Sequence, residues 1–176
     1  MSNEVWKSFE DNTLTHSAAH YLMTIKALLE DHGYARVTDI AKRLNITRGS
    51  CSISLKPLKK RQLVIEDENR FLQLSDEGRR LAEMIEMNDD LLECLFKDVL
   101  GVSADQAEVD ACKIEHLLSI ESSVKLANFI KSWKENQAAS TTLKKQMDAA
   151  QLTCNHDVEN CGLCQSVCFT ESLSND

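Results

Sequence analysis

The chain has 176 residues, 43% hydrophobic and 27% charged, enough for the core of one or two small domains and too apolar for disorder. A single proline, five glycines and 5% aromatic residues argue against a turn-rich all-β sandwich or barrel and favour helices. The net charge of -8, taken alone, disfavours a nonspecific binder of nucleic acid or membrane.

The opening residues, MSNEVWKSFEDNT, have neither a basic n-region nor an apolar h-region. Every apolar run is broken by charge well short of the ~20 residues a bilayer requires. A cytoplasmic protein without a membrane partner is expected, its seven cysteines serving as metal ligands, redox thiols or core residues rather than disulfides. From Thr15 to His32, Ala18, Leu22, Ile25 and Leu29 form a helical stripe that Gly33 stops. Val37 to Leu44 reads as a short helix capped by Thr38; after a turn at Asn45-Ile46-Thr47 a second helix opens near Arg48. That pair has the form of a helix-turn-helix. Leu63-Val64-Ile65 and Phe71-Leu72-Gln73-Leu74 flank a polar tip and predict a β-hairpin wing.

Helical spacing then runs from Ser75 to Leu100 over about seven turns, ended by Gly101. Ser103-Ala104-Asp105-Gln106 is a capping-box pattern for a helix to about Leu118, and Ser119 to Trp133 predicts another. These helices carry more Leu, Ile and Met than a lone domain can hide, which predicts a homodimer face. The fold class is therefore mainly α: a winged helix-turn-helix domain over 1–75, a helical metal-binding and dimerisation domain over 76–133, a linker helix over 134–152 and a Cys-rich tail over 153–176.

Charge divides along the chain. Arg36 to Arg61 holds eight basic residues and one acid, +7, so the remainder sums to -15. A positive module on a negative body is the footprint of a DNA-binding domain. With the second helix in the major groove of double-stranded DNA, Arg48, Ser50 and Ser52 reach bases, Thr47 reaches a phosphate, and Arg36, Lys56, Lys59 and Lys60 lie alongside. Pro57 interrupts that helix's hydrogen bonding, which predicts a bent or shortened recognition helix.

Cys112, Glu115 and His116 stand at i, i+3 and i+4, so a continuous helix places thiolate, carboxylate and imidazole on one face. Such a mixed set suits a first-row transition ion better than Mg2+ or Ca2+; a buried cysteine beside a surface Glu-His pair is the structural alternative. Glu108 lies one turn earlier, and Asp89 and Glu93 are paired on the preceding helix. The first helix offers His16, His20 and Met23. An enzyme is not expected: Cys112-x-x-Glu115-His116 is one substitution from the H-x-x-E-H of some zinc peptidases, but no downstream carboxylate ligand accompanies it.

The run Gly33-Tyr34-Ala35-Arg36-Val37-Thr38-Asp39-Ile40-Ala41, the winged module after it, and Asp110-Ala111-Cys112-Lys113-Ile114-Glu115-His116 resemble the diphtheria toxin repressor and manganese transport regulator family over residues 15–133. The resemblance implies a homodimeric repressor that binds a palindromic operator when a divalent ion docks the first helix on the dimerisation domain. By position, Cys112, Glu115 and His116 match the family's principal site, His20 stands where the family has Met or Asp, and Met23 stands where the manganese branch has Glu. The loss of that hard oxygen favours Fe2+ over Mn2+. At the ancillary site Asp89 and Glu108 replace the family's two histidines and Glu93 is kept. An SH3-like third domain is not expected.

The tail pattern C-x6-C-x2-C-x3-C, Cys154, Cys161, Cys164 and Cys168, can wrap one Fe–S cluster or one Zn2+. The close x2 and x3 spacing with a distant fourth thiol favours the cluster. A winged-helix redox sensor that uses only these tail cysteines is the alternative function.

Overall fold

The structure, a computed structural model, describes residues 14–149. The four tail cysteines lie outside the described residues. Two compact units divide the chain after Ser132.

In the first unit, α1 (His16–His32) starts where the Thr15 hydroxyl accepts from the Ala18 N–H, and ends at Gly33 with φ 75°. A β-bridge between Ala35 and Leu72, whose N–H donates to the Ala35 carbonyl at 2.8 Å, keeps the chain extended through Arg36. Helix α2 (Val37–Arg43) therefore begins two residues earlier than a Thr38 cap would require, and no side chain caps it. Thr47 caps α3 (Arg48–Lys60). This helix runs unshortened through Pro57: Ile53 and Pro57 are both exposed, so the carbonyl deprived of a donor lies on a face that water reaches.

Strands β1 (Val64–Glu66) and β2 (Leu72–Leu74) pair antiparallel, Val64 opposite Leu74, and form the wing. Its tip is closed by Asp67, whose Oδ1 accepts from the N–H groups of Asn69 and Phe71 at 2.9 and 2.8 Å. Ser75 caps α4 (Asp76–Cys94), which widens into a π turn over Leu95–Val99 rather than continuing as α-helix to Leu100. Helix α5 (Ala104–Ile114) follows, then a 3-10 turn, Glu115–Leu117, and α6 (Ile120–Glu135). Two expectations fail in α5. Ser103 makes no side-chain capping bond, and the Gln106 side chain hydrogen-bonds Asp110. The helix also stops at Ile114 and not near Leu118, since the tighter turn allows Asn88 Nδ2 to donate to the Glu115 carbonyl at 2.8 Å.

One buried cluster joins Leu22 and Ile25 of α1, Ile40 of α2, Leu55 and Leu58 of α3, Leu72 of the wing and Ile85 of α4. The front half of α4 thus closes the winged module, and its back half packs on α5. Lys26 ties α1 to α4 through Glu86 at 2.9 Å while also pairing with Glu30 on its own helix. The second unit contributes α7 (Gln137–Ala149), where Ser140 Oγ donates to the Trp133 carbonyl at 2.7 Å. No helix among the described residues is long and apolar enough to cross a membrane.

Gly78, in the first turn of α4, faces the Leu63 backbone so closely that an added Cβ would sit 2.1 Å from its carbonyl oxygen. Gly78→Ala is expected to destabilise the protein by about 1–3 kcal/mol in urea unfolding, because backbone cannot move aside as a flexible side chain does.

Candidate metal centre and nucleic-acid interface

The exposed face of α3 and the wing enclose an open groove of about 500 Å3 lined by Arg36, Arg48, Ser52, Lys56, Lys59 and Arg70, among others. Arg36 lies 4.3 Å from the Phe71 ring centroid and 6.0 Å from that of Tyr34, so aromatic faces hold its guanidinium beside the groove. The Thr47 hydroxyl is engaged at the helix start, accepting from the Ser50 N–H at 3.1 Å and sharing a hydrogen bond with the Ser50 hydroxyl at 2.9 Å. Lys60 is exposed at the end of α3. Lys59 is ion-paired with Glu66 of the wing. Sequence reasoning omitted Arg70 and Asn69, which the hairpin returns to the groove; the signal was a basic residue at an otherwise acidic tip.

On the other side of α1, three side chains converge. His16 and His20 bring their Nε2 atoms to 3.2 Å, and Cys112 Sγ lies 3.4 Å from the first and 3.3 Å from the second. All three ligand atoms fall within 4.8 Å of one another. His116 stands edge-on to His16 with ring centroids 5.5 Å apart. Met23 instead packs against the hydrophobic core. Glu115 turns inward to 1% exposure and hydrogen-bonds the Asp89 carboxyl. Glu93 pairs with Lys97 at 3.0 Å, and Glu108 is exposed near Asp89 and Cys112.

Burial pushes the Glu115 carboxyl up to about 8, with the Asp89 charge and the hydrogen bond to it adding in the same direction. Burial also raises Asp89 and the Cys112 thiol, and the carboxylates of Glu115, Asp89 and Glu108 raise Cys112 further. Burial and the neighbouring imidazoles lower His20 and His116, which keeps their ring lone pairs free. Glu115 Oε1 and His116 Nδ1 are buried without a hydrogen-bond partner. Neutral imidazoles, a thiol and two buried atoms with unmet bonding capacity suit a divalent transition ion, whose charge relieves the carboxylates and displaces the thiol proton.

Residues 13–71 match the iron dependent repressor N-terminal DNA binding domain, and residues 75–142 match the iron dependent repressor metal binding and dimerisation domain. Among solved structures, the chain is similar to the manganese regulator SloR at 25% identity and TM-score 0.58, over 64% of this chain and 53% of that one. It shares the fold of T. acidophilum IdeR at 24% identity and TM-score 0.53, over 64% and 53% of the two chains. It also shares the fold of the hypothetical protein SSo2273 from Sulfolobus solfataricus, at 23% identity and TM-score 0.56, over 66% of this chain and 89% of that one. The match thus spans about half the length of SloR and IdeR.

In the metal-free protein, Glu115 holds a proton when folded up to pH about 8 and releases it near 4.5 when unfolded. The stability this proton confers is complete below pH 4.5 and is lost as the pH rises to about 8. Urea unfolding in chelator is expected to show wild type losing stability relative to Glu115→Gln across that window; parallel curves would contradict it.

Proposed function

The chain belongs to the iron-dependent repressor family, and from that premise we propose that it is a metal-dependent transcriptional regulator, a repressor of metal-uptake genes acting as a homodimer on a palindromic operator. The observation that carries this reading is the use of α1 by two sites at once: its apolar face is built into the basic winged module, and its first turns meet Cys112 of α5. An ion held there fixes the orientation of α1, and with it the DNA-reading module, against the helical domain.

The principal ligands are Cys112, His116 and His20, with Glu115 recruited from its hydrogen bond to Asp89; Asp89, Glu93 and Glu108 form an ancillary oxygen-rich site. Met23 joins the principal set only by leaving the core face it occupies. Fe2+ is favoured over Mn2+ because nitrogen and sulfur dominate among the converging donors. Bound, the ion supplies positive charge that cross-links two helices and offsets the acidic body. Val109, Leu117, Ile120, Val124 and Phe129 are exposed on α5, the turn after it and α6, and supply the dimer face. Beyond the described residues, Cys154, Cys161, Cys164 and Cys168 hold an Fe–S cluster that adds a second input; one zinc per chain in colourless protein purified without oxygen would exclude it.

On DNA, Arg48 reads a guanine from the first turn of α3, Ser50 and Ser52 follow on the same exposed helix, and Arg36, Lys56 and Lys60 approach phosphates. Mobility shifts on genomic fragments with Fe2+, Mn2+ or chelator test the reading. Cys112→Ser and His116→Ala are expected to abolish metal-dependent retardation, and Arg48→Ala to weaken binding by about 1–3 kcal/mol. Unchanged metal response in both ligand variants would leave only the tail as sensor.

A further inference from the structure

His16 belongs to the stripe of α1 yet has no place among the ligands proposed above. It is the first residue of the helix, fixed by the Thr15 cap, and it stands one turn before His20. Two imidazoles at i and i+4 lie on one helical face and bind one ion together. Their Nε2 atoms, 3.2 Å apart, and Cys112 Sγ, at 3.4 and 3.3 Å, make a nearly equilateral triangle.

A tetrahedral ion about 2.05 Å from nitrogen and about 2.3 Å from sulfur holds such atoms about 3.3–3.6 Å apart. The triangle need open by only a few tenths of an ångström to become one face of that tetrahedron. The carboxylates stay aside: Glu115 is engaged with Asp89, and no carboxylate joins the converging group. His116 stands edge-on to His16, with ring centroids 5.5 Å apart.

We infer that His16, His20 and Cys112 form one face of a four-coordinate site for a borderline transition ion, with His16 a ligand supplied by the first turn of α1 and His116 completing the set. The inference rests on the metal-dependent reading and sharpens it: His16 takes the place given above to Glu115, which stays with Asp89. With three imidazoles and one thiolate, the site takes Zn2+, Co2+ or Fe2+ and discriminates against Mn2+, which prefers oxygen. It also places two anchors on α1, so the helix is held at two points rather than free to pivot about one.

The test is an anaerobic titration with Co2+ alone, on the full chain carrying Cys154→Ser, Cys161→Ser, Cys164→Ser and Cys168→Ser, which leaves Cys112 and the buried Cys51 and Cys94 as the thiols that could give a thiolate-to-cobalt absorption band. The expected result is one Co2+ per chain, with that band and intense ligand-field bands. Cys112→Ser removes the first. His16→Ala weakens Co2+ binding roughly tenfold or more and alters the ligand-field bands, whereas His32→Ala changes neither. His16 is exposed and alanine favours the helix, so the variant keeps its fold, checked by circular dichroism. Undiminished affinity and an unchanged spectrum in His16→Ala overturn this inference and leave the proposed function standing. Absence of any Cys112-dependent band in the starting chain defeats both.

Discussion

Helix α1 has to satisfy two neighbours with one rigid body. Leu22, Ile25 and Leu28 are fully or almost fully buried, so its rotation about its own axis is fixed by the core. Once that rotation is set, His16 and His20 necessarily face α5, and Lys26 necessarily faces Glu86. The candidate metal centre therefore inherits its geometry from apolar packing on the opposite side of the same helix. A change of ligand position relative to Cys112 must move α1 as a whole, and with it the core to which α2, α3 and the wing are attached.

How far the fold was legible in the sequence follows from where each determinant lies. Thr15, Thr47 and Ser75 cap their helices with N–H groups three residues away, and Gly33 supplies a positive φ, so these ends are readable from neighbours in the chain. The end of α5 is different. It depends on Asn88, 27 residues earlier. The start of α2 depends on a bridge to Leu72 in the wing. Local patterns offer these residues a plausible partner, and a distant one prevails.

The same distinction governs the site. Cys112, His116 and His20 are visible as residue types at helical spacing. The approach of His16 to Cys112 spans 96 positions and is not. Nor is the inward turn of Glu115, because a period of 3.6 places it beside Cys112 only while the helix continues, and the 3-10 turn rotates it toward Asp89. A carboxyl held protonated by burial is a reservoir of unused coordination that no spacing rule displays.

The ion pair between Lys59 and Glu66 has a consequence for how the protein would respond to salt. Each phosphate neutralised by a free cation releases condensed counterions and adds about 0.9 to the slope of log affinity against log salt. Lys59 already has an internal counterion carried on the wing. For it to engage DNA, a phosphate must displace Glu66, and the displaced carboxylate then recruits a cation from solution, which offsets part of the release. Lys59 would thus contribute less to the ionic-strength dependence than Arg48 or Lys56, and its engagement would require its ion pair with the wing to break.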